Sequence, residues 1–229
     1  LRTSEKRYSL LFENMLEVKD RKSKGTYYTP REIVHYMCQE SLINYLESNL
    51  STVSRDDLVY LVKKAEYDKE KEQAGVEGIK VYEINSKFSE NIKTYSNDID
   101  QLLADIKVCD PAIGSGAFPV GMMNEIVKVR SILTEFLPNN SNRSEYEFKR
   151  HAIANSIHGV DIDQGAVEIA KLRLWLSLIV DEDDISNIKP LPNLDYKIMQ
   201  GNSLIEEFEG IKLFDDSLLN NDNSYKQEI

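Results

Sequence analysis

Positive charge, cysteine, histidine and long apolar runs are all scarce in this 229-residue chain. Lys and Arg number 28 against 39 Asp and Glu, a formal net charge of -11, so the surface as a whole should repel a phosphate backbone. The chain is therefore not expected to be a complete nucleic-acid binder. Its two cysteines, Cys38 in a helical pattern and Cys109 in an apolar strand, have no metal-like spacing and cannot build a disulfide framework. They read as small buried thiols of a reduced, cytoplasmic protein. His35, His151 and His158 are scattered, with no carboxylate or nucleophile at a diagnostic offset, and none receives a catalytic role. The longest apolar run, Leu172 to Val180, is broken by Arg173 and is far shorter than a membrane span requires. No signal peptide is evident. A start at Leu1 and the polar end Asn220 to Ile229 read as a segment of something longer.

What the chain does contain is Lys107-Val-Cys-Asp-Pro-Ala-Ile-Gly-Ser-Gly-Ala-Phe118, a short apolar strand running into a glycine-pivoted turn and then a helix. Gly114 and Gly116 let the backbone take positive φ and approach a ligand with no Cβ in the way. A phosphate-cradling loop would carry Lys-Ser or Lys-Thr after its glycines, and a dinucleotide fingerprint would carry three spaced glycines. Neither is present. Asp110 at the strand end is an acceptor without positive charge, which suits a cofactor with a cationic amino-acid moiety. S-adenosylmethionine, with its ammonium and sulfonium, fits better than ATP or NAD.

Along the chain, helical spacing of Tyr8, Leu11, Met15 and Val18 predicts a helix from Ser4 to about Asp20. Thr29-Pro30 reads as a hydroxyl cap with proline at the first helical position, opening a helix of about twenty residues whose apolar stripe is Ile33, Val34, Met37, Leu42, Ile43 and Leu46. Ser54-Arg-Asp-Asp begins another helix, and the charged run Lys63 to Gln73 closes it as solvated helix or linker. Residues 84–104 are expected to be helical, leading into a strand at Ile106–Asp110. Helices follow at 119–136 and 146–155, then a strand at 156–163, a helix at 165–180 and a third strand at 196–200. Strand-helix alternation of this kind implies a parallel, doubly wound sheet, with ligands beyond the carboxyl ends of its strands. Asp110, Asp161 and Asn202 fall at such ends.

Each of these residues has a plainer reading. Asp161 suits the two hydroxyls of a ribose, because an ionised carboxylate accepts several hydrogen bonds; a lone acid at a strand end is ordinarily a helix cap. Asp163 is the better cap, since it directly precedes the next helix. The interval from Asp110 to Asp161 exceeds the roughly twenty residues of a compact nucleotide unit, which an inserted helix explains. Asn202 offers an amide to an adenine edge, or is a turn residue after Gly201. Tyr27, Tyr28 and Thr29 are by default the approach to a helix, and Trp175 is packing.

Four ordered segments resemble the amino-group DNA methyltransferases, specifically the gamma-type adenine methylases of Eco57I-like (type IIG) restriction-modification enzymes. Gly25-Thr-Tyr-Tyr-Thr-Pro30 is similar to the family's tenth motif. Asp110-Pro-Ala-Ile-Gly-Ser-Gly-Ala-Phe118 is similar to motif I, with Ile113 where cysteine is usual. Gly159-Val-Asp-Ile-Asp163 matches motif II, and Gln200-Gly-Asn-Ser-Leu204 resembles the segment that holds the adenine. The resemblance implies an α/β, Rossmann-like methyltransferase fold with an incomplete doubly wound sheet over residues 105–229, and a helical N-terminal annex over 1–104 that covers the cofactor. It implies S-adenosylmethionine contacts from Tyr28 and Thr29 at the methionine end. Asp110, Ala112, Gly114, Gly116 and Phe118 would follow from the glycine turn, then Asp161 and Ile162 at the ribose and Asn202 and Ser203 at the adenine. No metal is implied.

The family's Asn-Pro-Pro-Tyr tetrapeptide, which accepts the target amino group beside a flipped base, occurs nowhere in this sequence, and no catalytic residue is assigned. A target-recognition domain and a nuclease cluster are likewise unrecognisable. The expectation is therefore the cofactor-binding part of an adenine methyltransferase, inactive alone, whose parent meets double-stranded DNA through a separate domain. A protein-glutamine or RNA methyltransferase and a degenerate interaction module are the competing readings.

Overall fold

The computed structural model describes residues 29–73, 88–138, 143–179, 189–208 and 211–212. The helix expected at 4–20, Tyr27 and Tyr28 lie outside them. Helix α1 (Arg31–Asn49) places Val34, Cys38, Leu42 and Leu46 at four-residue steps on one buried face. Its start differs from expectation. Pro30 is extended, at φ -53° and ψ 143°, so it stands at the cap position and its carbonyl accepts from the N–H groups of Ile33 and Val34 at 3.0 and 3.1 Å. Thr29 lies one residue further out. Ile33 and Met37, expected on the core stripe, are 50% and 47% exposed.

Helix α2 (Arg55–Gln73) begins at Ser54, whose hydroxyl accepts from Asp57 N–H at 3.2 Å. The first half of α2, ahead of the charged run, belongs to the core, because Leu58, Leu61 and Val62 are fully buried against α1. Two short helices, α3 (Glu90–Thr94) and α4 (Ser96–Asp105), lead to strand β1 (Val108–Asp110). After the glycine turn come α5 (Ala117–Leu133), a single 3-10 turn over Thr134–Phe136, α6 (Glu145–His151) and a π-helical turn over Ala152–Ser156. These are the inserted elements that lengthen the interval between Asp110 and Asp161. Strand β2 (Ile157–Asp161), helix α7 (Gln164–Ile179) and strand β3 (Ile198–Gln200) follow, with a two-residue antiparallel ladder of β4 (Glu207–Phe208) and β5 (Ile211–Lys212).

The three main strands pair in parallel in the order β1-β2-β3, with Asp110 opposite Gly159 and Asp161 opposite Gln200. Parallel pairing brings their carboxyl ends to one side, with the tip of β2 reaching two residues beyond that of β1. This mainly helical body around a small parallel sheet is compatible with a methyltransferase fold. Alternation along β1 sends Val108 into the core and Cys109 to the opposite face. Cys109 is exposed, not the buried thiol expected; Cys38 is buried. Trp175 is half-buried against the core and donates its indole N–H to Pro192 O at 3.1 Å, as a packing residue should.

One buried ionic cluster ties the insertion together. Asp100 on α4 accepts four hydrogen bonds, from Arg130 Nε and Nη2 at 2.9 and 3.3 Å and from Arg143 Nη1 and Nη2 at 2.9 and 2.7 Å. Phe148 on α6 lies under both guanidinium groups, at 4.5 and 4.9 Å from its ring centre. Burial alone would raise the Asp100 carboxyl, but the hydrogen bonds and charges of Arg143 and Arg130 outweigh it and hold the group below the usual carboxylate range. A lowered folded pKa adds stability that is fully present above the unfolded value and is lost as pH falls through the folded one. Asp100→Asn should therefore cost about 3–5 kcal/mol of unfolding free energy at pH 7, measured in urea, since it leaves two arginines short of their counter-charge. The variant should also lack part of the wild-type loss of stability below about pH 4.

Candidate functional site

The glycine turn is held to the end of β2 by one backbone bond and by the Asp161 carboxylate. Asp110 Oδ1 accepts from Ala112 N–H at 3.1 Å, Ile113 N–H donates to Val160 O at 2.9 Å, and Gly114 N–H donates to Asp161 Oδ2 at 2.8 Å. Gly114 and Gly116 take φ values of +51° and +82°, where an L side chain is strained. Gly116 is also tight. A Cβ there would come within 3.2 Å of Ala170 on α7, so its lack of a side chain serves helix packing and not only ligand approach. Ile113 is buried, and a Cβ on Gly159 would fall 2.3 Å from its Cδ1. That glycine in β2 is what admits an isoleucine into the turn.

The tip of β2 reaches the other loops as well. The second oxygen of Asp161, Oδ1, accepts from Asp163 N–H at 2.9 Å, and its carbonyl accepts from Gly201 N–H at 2.9 Å. Asp163 caps α7 as expected, accepting from Gly165 and Ala166 N–H at 2.7 and 3.2 Å. Ser203 donates its hydroxyl to Pro111 O at 2.8 Å, which closes the loop after β3 onto the glycine turn. Asn202 behaves as a turn residue, its side-chain oxygen accepting from Leu204 N–H at 3.0 Å. Ile162 is 69% exposed beside these loops.

The sequence-predicted residues thus divide. Asp110, Ala112, Gly114, Asp161 and Ser203 come together at one end of the sheet, joined by the bonds above. Gly116 sits at the start of α5, and Phe118, two residues on, is half-buried against the core. Thr29 is exposed ahead of α1, and α1 meets this region through Cys38, whose Sγ donates to Phe118 O at 3.7 Å. A shallow hollow lined by Asp56, Val59, Tyr60, Lys63 and Lys64 lies on α2, away from the strand ends. Gly159 and Arg173 were passed over in the sequence; the first is a spacer beneath Ile113, and the second, read only as a break in an apolar run, reaches Ser115. A β-strand glycine flanked by larger residues was the available signal for the first.

The electrostatics of the site are acidic. Burial pushes the half-buried Asp110 carboxyl above its usual range and the charge of Asp161 adds to this, against the lowering effect of the Ala112 N–H. Behind the turn, burial and the negative charges of Glu125 and Asp110 push the Cys38 thiol up to about 12, despite Lys128. Glu125 is itself buried between α1 and α5, within 2.7 Å of Lys128 Nζ and 3.2 Å of His35 Nδ1.

Residues 86–225 match the family described as MmeI, DNA-methyltransferase domain. This chain belongs to that family. It is also 30% identical over 199 residues to a putative type II restriction enzyme and methyltransferase, RM.MjaORFECS2P, of Methanocaldococcus jannaschii, covering 84% of this chain and 15% of that protein. With the type II restriction enzyme and methyltransferase RM.Eco57I of Escherichia coli it shares 29% identity over 119 residues, 46% of this chain and 12% of the other. The expected kinship with Eco57I-like restriction-modification methyltransferases is borne out, and the chain spans about a seventh or less of these curated relatives. Thr29 lies outside the matched family region.

Two outcomes follow from the geometry. Gly116→Ala should cost about 1–3 kcal/mol in urea unfolding, because the new methyl meets both an unfavourable φ and the Ala170 backbone. In the native chain a thiol reagent should modify Cys109 readily and Cys38 only at the rate of unfolding, as read by mass spectrometry of the two peptides.

Proposed function

We propose that this chain is the S-adenosylmethionine-binding part of a DNA methyltransferase that modifies the exocyclic amino group of adenine within a restriction-modification system. The observation that carries this reading is the joined set of strand ends, in which Asp161 grips the glycine turn while the desolvated Asp110 carboxyl stands beside it. Two acids held this close, one of them costly to ionise, favour a cationic ligand, and an ammonium or sulfonium supplies that charge. Asp161 uses one lone pair on each oxygen for a backbone N–H, and each oxygen retains another for a ribose hydroxyl. The side-chain NH2 of Asn202 remains for an adenine edge once its oxygen is committed to the turn. The residues present therefore fit the cofactor.

In the full protein the sheet would extend into a Rossmann-like methyltransferase fold, with the α1 region over the methionine end. The sulfonium provides a methyl group already activated for transfer, so no metal or covalent enzyme intermediate is required. Held by Asp110, Asp161 and the turn, the cofactor would supply that methyl group for the exocyclic amine of adenine, with S-adenosylhomocysteine as the leaving group. This chain's share is positioning: Asp110, Asp161 and the turn would fix the donor, and a well-held geometry supplies much of the rate. Base flipping, target recognition and any DNA cleavage belong to other parts of the parent, consistent with the net charge of -11 on this one.

Calorimetric titration with S-adenosylhomocysteine tests the reading. The wild-type chain should bind, Asp161→Asn should bind less well, and Asp161→Ala should lose at least about tenfold because both the ribose contact and the Gly114 bond go. Affinity unchanged by Asp161→Ala defeats the assignment. Binding of S-adenosylmethionine should weaken as pH falls through the raised range of Asp110, and this dependence should be blunted in Asp110→Asn. The isolated chain should transfer no methyl group to DNA.

A further inference from the structure

Arg173 lies on α7, a helix otherwise occupied with packing, and its guanidinium reaches the glycine turn. Its Nη1 donates to Ser115 O at 3.0 Å and to Ser115 Oγ at 3.1 Å. Ser115 sits between the two positive-φ glycines, where neither a strand nor a helix supplies partners for its carbonyl. One helical turn earlier on the same face of α7, Ala170 backs Gly116 at 3.2 Å. The same helix therefore fixes the turn twice, by a steric stop at Gly116 and by a charge-assisted clamp at Ser115.

A segment with two glycines in five residues is expensive to order, and any ligand that orders it loses that free energy from its affinity. We propose that Arg173 is a positioning residue for the cofactor site, holding the Ala112–Gly116 turn in its binding shape before the ligand arrives; this rests on the cofactor reading above. Both bonds come from one nitrogen, Nη1; arginine suits the task because its planar group is pre-organised and stays charged at every working pH, whereas a lysine is a flexible point charge. The clamp complements the Asp161–Gly114 bond, which holds the opposite side of the turn at 2.8 Å.

The test uses the full chain and two measurements. Amide hydrogen exchange in the free protein, read on a peptide spanning residues 112–116, should speed up in Arg173→Ala and return partway in Arg173→Lys, with exchange in β2 and α1 unchanged. Titration with S-adenosylhomocysteine should show about tenfold weaker binding for Arg173→Ala, an intermediate value for Arg173→Lys, and a smaller loss for Ser115→Ala, which keeps the carbonyl bond. If Arg173→Ala does not fold, Arg173→Lys and Ser115→Ala carry both measurements. Unchanged exchange in the turn overturns the proposal whatever the affinity. Faster exchange with unchanged affinity overturns the positioning role and leaves the cofactor reading standing. A wild-type chain that binds no cofactor, with the turn nonetheless loosened by Arg173→Ala, defeats the cofactor reading and the positioning role with it.

Discussion

The architecture depends on how the loop after β1 is fastened to the tip of β2. Two bonds do this, Ile113 N–H to Val160 O and Gly114 N–H to the Asp161 carboxylate. With the loop fixed, Gly116 sets where α5 leaves the sheet, and α5 is the helix against which α1, α2, α4, α6 and α7 all pack. The direction of the whole helical layer therefore follows from a few atoms at the carboxyl end of a three-stranded sheet. A local constraint decides a global arrangement here because interiors are close-packed, so a helix that starts in the wrong direction cannot relax into place.

Much of this was legible in the sequence where a local rule had no competitor. The period change at 156–163, the Gly-Ser-Gly turn and Asp163 before a helix each point to one local structure, and the strands and helices appear within a few residues of expectation. The parallel pairing that brings Asp110 and Asp161 to one end was legible through strand-helix alternation. Other features needed three-dimensional neighbours. Thr29 reads as a cap only if Pro30 is the first helical residue, but proline's fixed φ is equally at home in the extended cap position it occupies. An apolar segment predicts a buried Cys109, yet a strand has two faces, and Cys109 lies on the exposed one. Nothing near Arg173 in sequence hints at Ser115, 58 residues away.

The chain's acidity takes on a definite sense beside its family. The chain spans about a seventh or less of its curated relatives, and the function proposed above requires the longer protein to meet a polyanion. On that proposal, a net charge of -11 would keep this part away from phosphates it does not contact and leave the approach to DNA to other surfaces of the longer protein.

The Asp100, Arg130 and Arg143 cluster carries a consequence for divergence. The three side chains stand 30 and 43 positions apart along the chain, yet energetically they form one site. Losing the acid strands two cations in the interior, and losing either arginine leaves the remaining pair poorly screened. Exchange for an apolar trio would have to be concerted, because every single-step intermediate is less stable than either endpoint. Relatives should accordingly keep all three or replace all three together, so that these distant columns drift as a unit.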